Sequence, residues 1–173
     1  QQWMSVCWSS ALGLFCAVSF NGSIMISPDG ITWTYAITES AVQFTDVCWN
    51  STIGMFAAVA FNGIIMTSLN GTVWTAISMT ELPAYTSITY APSLNLFVAV
   101  AYAQSANGYN AVISSDGVTW TPTQMPSLNK WTSICWSPTL SIFVAVAMNG
   151  EANTQIATST NGTTWIEQIA SPE

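Results

Sequence analysis

The chain has 173 residues, half of them hydrophobic and only 5% charged, with one basic side chain against eight acidic ones and a net charge of −7. Lys130 is the lone cation and there is no arginine or histidine, so the chain cannot neutralise a run of phosphates or hold to acidic lipid; nucleic-acid and anionic-membrane partners are excluded. Mean hydropathy is +0.41, yet no apolar stretch reaches the roughly 18 residues that span a bilayer, so membrane insertion is not expected. The chain opens Gln1-Gln2-Trp3 without a charged or apolar leader and reads as a mature or trimmed product.

Four segments beginning at Trp3, Phe44, Tyr85 and Trp131 carry the same succession of residues, at spacings of 41, 41 and 46. Each opens with a short predicted strand: Ser5 to Trp8, Asp46 to Trp49, Ser87 to Tyr90 and Ser133 to Trp136. A turn follows, then an apolar strand over Leu14 to Val18, Met55 to Val59, Leu96 to Val100 and Ile142 to Val146. Apolar residues there do not alternate with polar ones, so both faces of these strands should be covered. Third strands are predicted over Ile24 to Ser27, Ile64 to Thr67, Ala111 to Ser114 and Gln155 to Ser159. After them come four related turns, each closed by a tryptophan: Trp33, Trp74, Trp120 and Trp165. Asp29-Gly30, Asn70-Gly71, Asp116-Gly117 and Asn161-Gly162 sit at their centres, where Asp-Gly and Asn-Gly tolerate the positive φ of a tight hairpin. A fourth strand follows each turn.

Units of about 40 residues with four short strands have the size of a β-propeller blade. The turns resemble the Asp-box, or BNR, repeat of sialidase-type propellers, with a Ser, an Asp or Asn, a Gly and an aromatic residue at a hairpin; here Gly follows Asp or Asn directly, one residue sooner than usual. The resemblance implies an all-β fold of four tandem antiparallel blades, about 3–43, 44–84, 85–130 and 131–170, in a single repeat domain over 1–173. It implies little about activity, because Asp-boxes usually lie away from active sites. Sialidase chemistry by that analogy needs an arginine cluster, which the chain lacks.

Serine–histidine and cysteine–histidine mechanisms fail for want of histidine. A glycosidase needs two carboxyls facing each other, and Asp29 and Asp116 belong to equivalent turns in separate units. No acid–base pair emerges, and without a CxxC, a histidine or clustered carboxylates neither metal nor cofactor is expected. The chain is therefore read as a non-enzyme.

The nine tryptophans fall at three repeat positions: Trp3 and Trp131; Trp8, Trp49 and Trp136; and the four turn tryptophans. A residue needed once per blade is read as packing. Units three and four are lengthened between their second and third strands, and insertions in repeat proteins map to loops on one side, often the contact side. Tyr102, Gln104, Asn107 and Tyr109 in one, and Asn149, Glu151 and Asn153 in the other, are the candidate contact or ligand residues. The two tyrosines are the freer aromatics. Cys7, Cys48 and Cys135 share one repeat position; Cys16 lies on the strand predicted to pair with that of Cys7, which leaves a cross-strand bridge or two free thiols open. Asn-X-Ser/Thr acceptors stand at Asn21, Asn50, Asn70 and Asn161, so a secretory origin would make glycans available.

Neither end of the array carries the polar cap that repeat proteins use to close a terminal unit. Two arrangements follow: closure into a small four-bladed propeller, which is favoured, or an open array of blades completed by neighbouring chains. Few charges keep surfaces apart, and neutral polar side chains are buried at lower cost than Lys or Glu. The expectation is a structural protein, extracellular or on the surface of a cell or virus-like particle, that assembles with copies of itself into an oligomer or filament. A glycan-binding propeller module is the alternative.

Overall fold

The computed structural model describes residues 2–36, 42–77, 83–103, 108–149 and 155–169. The predicted contact residues Gln104, Asn107, Glu151 and Asn153 lie outside them. Each unit forms one antiparallel sheet in meander order. Blade 1 holds β1 (Trp3–Ser9), β2 (Leu14–Ser19), β3 (Ile24–Ser27) and β4 (Thr34–Tyr35); blade 2 holds β5 (Phe44–Asn50), β6 (Met55–Ala60), β7 (Ile65–Ser68) and β8 (Thr75–Ile77). Blade 3 holds β9 (Tyr85–Ala91), β10 (Leu96–Ala101), β11 (Ala111–Ser114) and β12 (Thr121–Thr123); blade 4 holds β13 (Trp131–Ser137), β14 (Ile142–Ala147), β15 (Ile156–Ser159) and β16 (Ile166–Gln168). The fold is all-β and propeller-like, as the repeats predict. First strands run longer than expected and fourth strands are very short.

Register repeats from blade to blade: Cys7 faces Cys16, Cys48 faces Ala57, Thr89 faces Val98 and Cys135 faces Val144. Every first strand carries a bulge at its second residue, which sets Met4, Thr45, Thr86 and Thr132 out of the ladder.

The first strands stand side by side, β1 against β5, β5 against β9 and β9 against β13. Each joint has its own apolar core. Phe44, Val47, Ala58 and Met66 on the front of blade 2 pack onto Cys16, Val18 and Ile24 on the back of blade 1. Tyr85, Ile88, Ala99, Val112 and Trp120 repeat this against Ala57, Val59 and Ile65. Trp131, Ile134, Ala145, Ala157 and Trp165 do so against Val98, Val100 and Ala111. Because β6 and β10 have a blade on either side, both are buried from their second residue to their last.

The row does not come back on itself. No joint of comparable extent connects blade 4 to blade 1 among the described residues, so the favoured closure into four blades gives way to an open arc. The physical reason is visible in the end strands: β2 and β14 are covered on one face only, with Val146 41% exposed, where Val59 and Val100 are fully buried. The reading of all tryptophans as core is corrected with it. Trp131 is fully buried, but Trp3 at the same repeat position is 43% exposed and Trp8 is 45% exposed, because no blade among the described residues covers the front of the first.

Candidate functional site

The front of blade 1 is an uncovered apolar surface. Trp3, Met4, Val6, Ala17, Met25 and Trp33 surround an open hollow of about 560 Å³. These positions match Phe44, Thr45, Val47, Ala58, Met66 and Trp74 of blade 2, most of which are buried in the first joint. The repeat explains the geometry: the same strand order and register present the same side chains, and here no neighbouring blade among the described residues covers them.

A polar line crosses the joints beside the apolar cores. Asp46 accepts hydrogen bonds on Oδ1 from the Ser5 hydroxyl (2.6 Å), and on Oδ2 from the Ser87 hydroxyl and the Ile88 backbone N–H (both 2.9 Å). One blade further, Ser87 Oγ accepts from the Ile134 N–H at 3.3 Å. The bulge residues form a second line. The Thr45 hydroxyl points to the Tyr85 carbonyl (3.0 Å) and the Thr86 hydroxyl to the Trp131 carbonyl (2.8 Å), each also reaching a carbonyl of its own blade. Asp46 is a site residue that sequence reasoning missed; the available signal was one acid at a position that is Ser in the other three units.

The four turns are built alike. In the first, Ser27 Oγ accepts from the Gly30 N–H (2.8 Å), Asp29 Oδ1 accepts from the N–H groups of Ile31 and Thr32 (2.8 and 2.7 Å), and Trp33 Nε1 donates to the Gly30 carbonyl (3.2 Å). Asn161 does the same work with its amide oxygen, accepting from Thr163 and Thr164. Those N–H bonds hold the Asp29 carboxyl down to about 2, and Asp116 is lowered for the same reason. With Oδ1 of each acid taking these local bonds, the residues serve the hairpin. In a meander the turns lie at the opposite end of the blades from the long second-to-third-strand loops.

At that other end Tyr102 is not free. Its ring packs at 6.0 Å from Phe61, which in turn stands 6.4 Å from Phe20, giving a row of three aromatics at equivalent positions along the rim. Lys130 covers the Tyr102 ring at 4.7 Å and donates to its hydroxyl (3.1 Å). Tyr109 is half-buried and has partners of its own. Asn149 Oδ1 accepts from the Lys130 N–H and so ties the link between blades 3 and 4, and Asn21 accepts in the same way from the Gln2 N–H just before blade 1.

Asn70 and Asn161 sit exposed on turns and Asn21 at a rim, while Asn50 is fully buried. Its amide oxygen caps the turn through the N–H groups of Thr52 and Ile53, and its nitrogen is enclosed, so in the folded chain Asn50 presents no acceptor for a glycan. Cys7 and Cys16 face each other as free thiols, raised by burial, Cys16 to about 12. Cys135 is the exposed cysteine. Among the described residues no group of acidic, cysteine or histidine side chains is set to hold a metal, and no helix is long and apolar enough to cross a membrane.

The arc is similar in fold to solved β-propellers. Virginiamycin B lyase from Staphylococcus aureus superposes with a TM-score of 0.76 at 12% identity, over 99% of this chain and 57% of that one. YCF48 bound to D1 peptide matches with a TM-score of 0.65 at 16% identity, over 96% of this chain and 52% of that one. The computationally designed Ika8 protein matches with a TM-score of 0.64 at 14% identity, over 93% of this chain and 46% of that one. The chain thus spans about half the length of the structures it resembles. These likenesses support a propeller fold and do not single out the Asp-box family. No family model matches the chain, and no curated protein matches it in sequence.

Proposed function

We propose that the chain is a non-enzymatic structural subunit, extracellular or on a particle surface, that assembles with copies of itself through its two end blades. The observation that carries this reading is the front of blade 1: a hollow lined by Trp3, Val6, Met25 and Trp33, open here and filled at each of the three internal joints. An apolar patch of this kind is a contact surface rather than a solvent surface, and 5% charge does little to oppose self-contact. The virginiamycin B lyase neighbour is catalytically inactive when a histidine is replaced by alanine. This chain has no histidine, so that particular lyase chemistry is not part of the proposal. Light scattering on a concentration series tests the proposal. A mass above that of one chain, lost in Val6→Asp, is expected; dispersed single chains at every concentration would overturn it.

The rim row of Phe20, Phe61 and Tyr102 favours a second reading, a glycan-binding module, since the Phe61 ring is 39% exposed and the Tyr102 hydroxyl and Lys130 stand beside it as polar groups for a sugar. A glycan array with hits that vanish in Tyr102→Ala or Tyr109→Ala would favour it, and an array without hits would remove it.

A further inference from the structure

The internal joints specify more than an apolar patch; they specify what completes it. In two successive joints the bulge threonine of one blade donates to the first carbonyl of the next, Thr45 to Tyr85 and Thr86 to Trp131. Beside it, the residue after that threonine accepts the second N–H beyond the bulge of the next blade, Asp46 from Ile88 and Ser87 from Ile134. Blade 4 carries the same pair, Thr132 and Ser133, and no blade among the described residues receives them; Ser133 is exposed, and Thr132 donates to the Val146 carbonyl of its own sheet. Its back face presents Val144, Val146 and Ile156 where internal blades present Ala57, Val59 and Ile65. Blade 1 offers the complement: the Trp3 carbonyl, the Val6 N–H and the Trp3, Val6 and Met25 side chains.

We infer that the back of blade 4 receives the front of blade 1 of a second copy, and that two copies close into one eight-bladed ring. This rests on the self-assembly reading above and adds the joint and the number of copies. Thr132 donates to the partner copy's first-strand carbonyl and Ser133 accepts the N–H that follows the bulge, continuing the two polar lines across the boundary. Ring size is bounded by chain length. Four blades take up 61% of one matched chain, 57% of a second and 46% of a third, so chains of those lengths would hold between about six and a half and about nine such units, and propellers of about four to eight blades are the usual range. Two copies give eight, while a third would give twelve. A head-to-tail contact that closes on itself makes a discrete particle, whereas one that does not makes a fibre.

Native mass spectrometry and thiol labelling of the whole protein test this together. Cys135 occupies the repeat position of Cys7 and Cys48, each of which packs against the next blade's core, and it is the exposed cysteine in the single chain. The ring predicts a mass of twice 18.6 kDa that stops growing with concentration. It also predicts that Cys135 reacts at least about tenfold more slowly in the assembled protein than in Val6→Asp, because the reagent must wait for the joint to open. Val146→Asp should give single chains by damaging the other half of the joint. Both positions are solvent-facing in one chain, Val6 being 57% exposed, and an unchanged circular dichroism spectrum checks the fold. Mass that keeps growing, or fibres, would overturn the ring while leaving self-assembly standing. Single chains at all concentrations would overturn both. A dimer that survives both substitutions, or in which Cys135 reacts freely, would overturn the joint.

Discussion

Ser87 and Asp46 meet across the joint between the second and third blades, the serine hydroxyl donating to the carboxylate at 2.9 Å, and each of them also receives a backbone N–H from the blade that follows. The carboxylate is tied on its other oxygen to Ser5 of the first blade. One acidic side chain thus links three sheets.

Asp46→Ala should cost about 1–3 kcal/mol, since it removes acceptors for two hydroxyls and leaves the Ile88 N–H without its partner. Urea unfolding measures this. A change within error would mean that the apolar joints alone fix the blade positions.

Trp131 and Trp3 hold the same repeat position with and without a covering blade. In dilute protein, where single chains prevail, Trp131→Ala should cost about 3–5 kcal/mol as a buried-aromatic truncation. Trp3→Ala should cost a fraction of that and instead weaken association. Equal losses on dilution would show that Trp3 is covered within its own chain.

Gly30 and Gly162 both sit at positive φ, +74° and +76°, so alanine strains either one by about 1–2 kcal/mol. They differ in surroundings. A Cβ on Gly30 would come no closer than 3.5 Å to Phe15, while one on Gly162 would meet Leu96 at 2.9 Å and Val98 at 3.0 Å, on the neighbouring blade. Gly162→Ala should therefore lower the melting temperature more than Gly30→Ala. The reverse order would contradict the close seating of the fourth turn on blade 3.

Asp29 and Asp116 have their carboxyls lowered in the fold by backbone N–H bonds. A group depressed in the native state adds stability above its unfolded value, about 4 for Asp, and that stability is lost as pH falls toward the folded value. For Asp29 the window runs from there down to about 2. Asn70 and Asn161 make the same bonds without titrating, so a protein carrying Asp29→Asn and Asp116→Asn should keep its turns and lose that part of the acid dependence. Urea midpoints at neutral and acid pH, compared between the two proteins, check this. An unchanged profile would assign the acid sensitivity elsewhere. Sodium chloride, in contrast, should move the melting temperature little, because Lys130 is the one cationic side chain and few ion pairs exist to be screened.

The four sheets and their hairpins were legible in the sequence because the information is local. Ser27, Asp29, Gly30 and Trp33 make their hydrogen bonds with one another, so the motif alone draws the turn. Non-closure was not legible. Val6 and Val146 read as apolar as Val47 and Val100, and only the placement of neighbouring sheets distinguishes a core residue from an uncovered one. Tyr102 looked free for a similar reason: its partners Phe61 and Lys130 come from equivalent rims of adjacent blades, 41 and 28 residues away in the chain. Asp46 passed unnoticed because its partners are serines, which occur everywhere in this sequence.

The indole of Trp3 is the most direct witness. An experimental structure of the concentrated protein should show it seated on Val144, Val146 and Ile156 of a second copy, with the Thr132 hydroxyl against its carbonyl. Finding that ring in solvent, or covered by the fourth blade of its own chain, would contradict the account.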